Sequence, residues 1–226
     1  MTDLVFPLAT PSVAIKGTAT RFPVRRIWCV GRNYAAHARE MGADTREPPF
    51  FFSKQPDMVV PPGNVPYPGL TKDLQHEIEL VVALKSGGSD IAPEAAAAHI
   101  FGYAIGLDLT RRDLQGEAKK KGHPWEVGKS FEASAPIGLI TPAAHAGDVA
   151  AGRITLTVNG TLRQQSPIAD LIWSVPEVIA RLSRQVTVGA GDLIYTGTPE
   201  GVAAIVKGDT LVGEVTGLEP LKVTIA

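Results

Sequence analysis

The run His-Glu-Ile-Glu-Leu-Val-Val at 76–82 sets two carboxylates, Glu77 and Glu79, at the mouth of an apolar stretch. In an extended strand, residues i and i+2 face the same side, so the two acids point together. Carboxylates that close repel each other, and a buried anion without a partner is costly. A divalent cation between them removes both difficulties. Oxygen-only ligands favour a hard ion such as Mg2+, Mn2+ or Ca2+ over Zn2+. Asp108, a lone acid ending the apolar run GYAIGLDLT, is the candidate third ligand. The residues alone leave another reading open, with Glu77 and Glu79 on a wet sheet face and Asp108 capping the next helix.

A second pair has the spacing of proton chemistry. His37 and Glu40 lie three apart in AAHARE, which puts them on one face of a helix. Glu40 can then orient the imidazole and stabilise its cation, the arrangement of a general base. A surface His–Glu pair would look the same. Lys129, in VGKSFEAS, reads as a loop lysine. Arg32 and Tyr34, in GRNY, suit either a substrate carboxylate or ketone, or local packing and capping. In YTGTPEGV, Gly197 permits close approach of backbone N–H groups, and the hydroxyls of Thr196 and Thr198 can donate to a carboxylate. His76 reads as a neighbour of the metal site. His99, His123 and His145 carry no assigned role.

Short strands and tight turns must position these groups. RIWCVG, EIELVVALKS, IFGYAIGLDLT, DLIYTG and KVTIA read as strands. RITLTVNGTLRQQ reads as a hairpin around Asn159-Gly160, the favoured type I′ pair. Helices are expected over 33–41, with Asn33 as cap, and over APEAAAAH. Two more are expected from Thr110 to Gly122 and over SVPEVIARLSRQ, where Ser174 and Glu177 have capping-box spacing. The Pro-rich stretch between 48 and 69 is long for a structureless connection, which signals function or extended edge strands. Strands dominate without alternating regularly with helices. The expected class is α+β, with a mixed, strongly curved sheet.

The whole chain narrows the function classes. Its 226 residues suit one domain, and 44% hydrophobic content supplies a core. A net charge of -1 is no footprint for nucleic acid or an anionic membrane surface. Cys29 is the sole cysteine, so an internal disulfide is impossible, and its apolar neighbours make it a small buried hydrophobe. Prolines break the N-terminal apolar residues, no signal peptide is evident, and no run approaches the roughly 20 apolar residues of a membrane span. A cytoplasmic location is expected. A nicotinamide site fails because GAGD at 189–192 lacks the third glycine and leads into a strand, and a serine hydrolase is not expected because Gly-x-Ser-x-Gly is missing.

The ordered set CVGRNYAAHAREMG, HEIELVV, GYAIGLDLTRRDLQ, KKKGHPWEVGKSFEASAPIG, VNGTLRQ, SVPEVIARLS and YTGTPEGV resembles the fumarylacetoacetate hydrolase family. Within it, the resemblance is to the small branch of acylpyruvate and fumarylpyruvate hydrolases. It runs from about residue 24 to the end. It implies one catalytic domain over 1–226, with 1–23 as an extension and 33–48 as a helical lid. The implied fold is a mixed β-sandwich roll, usually a homodimer.

The resemblance also implies Mg2+ (or Mn2+) on Glu77, Glu79 and Asp108, with a lid dyad of His37 and Glu40 that activates water. Lys129 is implied as the cation that stabilises an oxyanion or enolate. Arg112, Gln115 and Thr198 are implied near the substrate, as is Lys54, although Gln55 stands where the family usually has proline. Arg111 replaces a small residue of other members, which leaves open which arginine points inward. The implied reaction cleaves a C–C bond of a 2-oxo acid, first fumarylpyruvate, to fumarate and pyruvate in gentisate-type aromatic catabolism. Decarboxylation of oxaloacetate and isomerisation of a keto-enol diacid are rivals at the same site, and a non-catalytic 2-oxo acid binding protein is the rival from another class.

Overall fold

The computed structural model describes residues 5–35 and 47–226. Among these, a six-stranded and a five-stranded sheet carry most of the chain. In chain order their strands are β1 (Arg26–Gly31), β2 (Phe50–Lys54), β3 (Gly63–Val65), β4 (Ile78–Leu84), β5 (Ile100–Leu107), β6 (Thr141–Pro142), β7 (Arg153–Val158), β8 (Thr161–Pro167), β9 (Asp192–Tyr195), β10 (Thr210–Val215) and β11 (Leu221–Ile225). The larger sheet runs β6-β5-β4-β9-β1-β2 and the smaller β8-β7-β10-β11-β3. Each is antiparallel apart from one parallel pair, β9 with β1 and β11 with β3. The class is therefore α+β with mixed sheets, as expected.

Strand β4 is buried along its whole length. Ile78 and Leu80 pack with Ile105 and Leu107 of β5 against Ile154, Leu156, Leu211 and Val223 of the smaller sheet. This is the interior of the sandwich. Further along the same face, Val82 and Leu84 lie under Val178, Ile179 and Leu182, which belong to the helix at Val175–Gln185. The opposite face carries Val81 and Ala83, in a cluster with Val13 and Phe22. Those two residues come from a short hairpin of Ser12–Ala14 with Arg21–Pro23. Cover on both faces explains why the sequence here is a continuous apolar run instead of an alternation.

Local rules hold at several turns. Asn159 and Gly160 both have positive φ, 51° and 77°, as a type I′ hairpin requires. The α-helices are α1 (Arg112–Lys121), α2 (Glu126–Lys129) and α3 (Val175–Gln185). Glu177 accepts the Ser174 backbone N–H at 2.9 Å, which closes the expected capping box of α3. Gly122 ends α1 in the left-handed conformation.

Other expectations need correction. Thr110 does not open α1. It lies in a two-residue strand paired with Leu74–Gln75, and its hydroxyl faces inward. Residues 93–99 form 3-10 turns in place of an α-helix. The His99 carbonyl there already accepts the Lys85 N–H, and the next residue begins β5. The Pro-rich stretch contributes edge strands, β3 and the pair Val59–Val60 with Ala135–Pro136.

Candidate metal centre and its recess

Pairing of β4 with β5 brings the acids together. Ile78 lies opposite Leu107, and the Asp108 N–H bonds the Glu77 carbonyl at 2.9 Å. Each strand therefore delivers its acid to the same spot as it leaves the sandwich. Ligand oxygens of Glu77, Glu79 and Asp108 all lie within 4.8 Å of one another. The three residues are only 5%, 2% and 1% exposed, respectively. The wet-face reading of the sequence is thus excluded, and so is Asp108 as a helix cap.

The donor set fits a hard divalent ion. It is all oxygen, dianionic or more, and buried. Glu79 makes the case most directly. Among the described residues its carboxylate receives one hydrogen bond, from the Gly197 backbone N–H at 2.8 Å. Burial, then the charges of Asp108 and Glu77, hold its carboxyl well above the usual carboxylate range. An acid in that position needs a cation to ionise.

Lysines compensate the other two acids. Lys129, at the end of α2, places its ammonium 2.7 Å from Glu77 Oε2, from Asp108 Oδ2 and from Thr110 Oγ1. Burial disfavours its charge, but Asp108 and Glu77 outweigh that and raise its pKa above the ordinary lysine value. It is no exposed loop lysine. Lys54 Nζ sits 2.8 Å from Asp108 Oδ1 and also bonds the carbonyls of Leu109 and Lys129. The sequence reading expected Lys54 at the substrate. The structure instead buries its side chain fully behind Asp108, because β2 runs along β1 at that level.

A recess of about 390 Å³, counting its mouth, opens over the carboxylates. Arg112, Gln115, Lys129, Thr198 and Arg32 line it. Arg112 is the inward arginine: it contacts Glu77 Oε1, donates to Gln75 Oε1 at 2.7 Å and to Gln115 Oε1 at 3.0 Å. Arg111 instead lies 4.2 Å over the Phe131 ring. Tyr34, expected at the substrate, is 2% exposed and packs in the sandwich core. Burial, then the Glu79 charge, raises its pKa well above the ordinary tyrosine value. His37 and Glu40 lie outside the described residues.

Two polar residues shape the site in ways the sequence reading did not suggest. Gln164 of β8 donates to Thr198 Oγ1 at 2.9 Å and to the Pro199 carbonyl at 2.7 Å. Its Oε1 meets His76 Nδ1 at 2.8 Å. Burial lowers the His76 pKa, against the pull of that hydrogen bond. His76 thus braces the turn of Thr198 as a neutral group.

Asn33 is not a helix cap. Its amide donates to the carbonyls of Trp173 and Thr196 at 2.9 and 2.8 Å and accepts the Trp173 N–H at 2.8 Å. Gly197 beside it has φ of 102°, and a Cβ there would meet Asn33 Cβ at 2.7 Å. A polar residue inside a plausible strand or turn carries no signal of such a clamp. Replacing Asn33 by alanine strands buried backbone groups on two segments. We expect a loss of about 3 kcal/mol in urea unfolding, with the recess turn 196–198 loosened.

Fold and site together define a class. Residues 26–226 match the family described as fumarylacetoacetate (FAA) hydrolase C-terminal. The crystal structure of fumarylpyruvate hydrolase from Pseudomonas aeruginosa in complex with Mn2+ and pyruvate superposes with a TM-score of 0.96 at 50% identity, covering 100% of this chain and 99% of that one. A fumarylpyruvate hydrolase of Ralstonia sp is 44% identical over 79% of this chain and 93% of its own length. The mitochondrial oxaloacetate tautomerase FAHD1 of Rattus norvegicus is 39% identical over 90% and 96%, respectively. The chain belongs to the fumarylacetoacetate hydrolase family. No helix among the described residues is long and apolar enough to cross a membrane.

Proposed function

We propose that the protein hydrolyses a carbon–carbon bond of an acylpyruvate, with fumarylpyruvate giving fumarate and pyruvate. The observation that carries this reading is the buried, all-oxygen trio of Glu77, Glu79 and Asp108 at the floor of a recess lined by cations. Similarity to fumarylpyruvate hydrolases, one of them with Mn2+ and pyruvate bound, supports it. Mg2+ or Mn2+ on the trio supplies Lewis-acid polarisation of the 2-oxo acid.

The remaining work falls to side chains. Arg112 and Thr198 bind and orient the pyruvate end. His37, oriented by Glu40, takes a proton from water, and the hydroxide attacks the carbonyl carbon of the acyl group. Lys129, held among Glu77, Asp108 and Thr110, supplies positive charge beside the oxygen that gains charge, and Gln115 donates to it. The bond between the acyl carbon and the pyruvate methylene then breaks, its electron pair leaves with pyruvate as the enolate, and protonated His37 returns a proton to that carbon. The enzyme works as a cytoplasmic homodimer, which light scattering of the purified protein would check.

A second reading has one observation in its favour: the relatives named oxaloacetate tautomerase. An enzyme that only moves a proton between keto and enol forms needs no activated water. Product analysis decides, with fumarylpyruvate, acetylpyruvate and oxaloacetate, Mg2+ present, and Glu77→Gln as control. We expect fumarate and pyruvate in equal amounts from fumarylpyruvate, and a loss of about 10³-fold in that hydrolysis for His37→Ala. Turnover of oxaloacetate alone, untouched by His37→Ala, replaces the hydrolase reading with the second one. Binding without any turnover leaves a 2-oxo acid binding protein.

A further inference from the structure

Three rings wall part of the recess. Phe50 and Phe52 come from β2 and Trp125 from the turn before α2, and all three line the space. Trp125 stands edge-on to Phe50, with ring centroids 5.2 Å apart at 89°, and lies 5.9 Å from Phe52. The Phe50 ring is pressed on bare backbone. A Cβ on Gly31 would fall 2.1 Å from its Cζ, so only glycine leaves the ring its place.

Arg32 follows at once. Its guanidinium lies 5.5 Å over the Phe50 ring, beside the recess. Among the described residues it makes no ion pair, and its Nε is buried without a hydrogen-bond partner. Arg112 and Lys129 each pair with a carboxylate of the trio; among the described residues Arg32 does not. Its backbone is also held at φ of 60°, a conformation that costs a non-glycine residue energy and marks functional positions when seen.

We infer that Phe50, Trp125 and Arg32 form the acyl-end subsite, and that it selects a flat acyl chain ending in a carboxylate. The rings contact the faces of a conjugated chain, and the guanidinium, which makes no ion pair among the described residues, receives the terminal carboxylate bidentately. This rests on the proposed acylpyruvate reading and adds which residues read the acyl group. A short acyl group such as acetyl lacks the terminal carboxylate that Arg32 receives.

The test uses binding as well as turnover. Isothermal titration of the Mg2+-loaded protein compares 2-oxoheptanedioate with 2-oxoheptanoate, which differ only in the terminal carboxylate and cannot be hydrolysed. We expect the diacid to bind about 50-fold more tightly. Arg32→Asn, chosen because asparagine tolerates the left-handed backbone, brings the ratio to near one. Arg32→Lys retains part of it. In turnover, Arg32→Asn lowers kcat/KM about 100-fold for fumarylpyruvate and by no more than about 5-fold for acetylpyruvate. Equal binding of the two acids by the wild type, or an unchanged ratio in both variants, overturns the subsite. A wild type that prefers the diacid but hydrolyses neither acylpyruvate keeps the subsite and removes the hydrolase reading.

Discussion

Replacing Glu79 by glutamine abolishes metal binding and lowers turnover by about 10³-fold or more, while the metal-free fold becomes no weaker. The first half follows from the donor set. Removing one anion from an all-oxygen trio takes away charge that a hard cation needs, and Lewis-acid polarisation is worth several kcal/mol. The second half follows from burial. With its pKa raised by desolvation and by Asp108 and Glu77, the Glu79 carboxyl resists ionisation in the metal-free protein. For a carboxyl raised in the folded state, the folded form holds more protons than the unfolded one. Stability is therefore lost as pH rises above the unfolded value and through the raised one. Glutamine is neutral at every pH and still accepts the Gly197 N–H. Thermal melts at pH 5 and pH 8 without metal should show a smaller drop for Glu79→Gln than for the wild type. Calorimetric titration with MgCl2 should show heat for the wild type alone. A variant that binds Mg2+ normally would refute the metal centre itself.

Lys129→Met should have the largest effect on stability. Its ammonium touches Glu77, Asp108 and Thr110 at 2.7 Å each. Methionine fills much of the volume but leaves two buried carboxylates facing each other. Breaking a buried pair from one side costs about 3–5 kcal/mol, on the order of 10 °C in melting temperature for a chain of this size. On the proposed acylpyruvate reading, turnover falls as well, by about 10³-fold, because the acyl oxygen would lose its cation. Magnesium separates the two roles. An ion on the trio neutralises the same carboxylates, so added MgCl2 should raise the melting temperature of Lys129→Met more than that of the wild type, without restoring activity. Equal shifts in the two proteins would mean that Lys129 and the metal do not share their anions.

What the sequence made legible follows a physical divide. The hairpin at Asn159-Gly160 and the α3 cap were readable because their chemistry is local. The trio was readable because strand parity puts Glu77 beside Glu79, although parity alone could not tell a wet face from a buried one. Asp108 needed the β4–β5 register, which only long-range pairing sets. The resemblance implied Lys54 at the substrate and the GRNY motif suggested Tyr34 there, with packing as its alternative, yet the adjacency of β1 and β2 turns Lys54 behind Asp108, and core packing takes Tyr34. Gln164 gave no local sign, and Asn33 read locally only as a helix cap. Each acts through partners some 30 to 160 positions away, and a polar side chain does not advertise its distant partners.

The strand order has a consequence for how such enzymes diversify. Glu79 rides on β4, Glu77 stands just before β4 and Asp108 just after β5, all held by the middle of the larger sheet, whereas Phe50 and Phe52 ride on β2 at its rim. A rim strand can drift, lengthen or swap its bulky groups without moving the anchored acids. One unchanging reactor can thus be refitted with different entrances, and kin that share the acids need not share a diet.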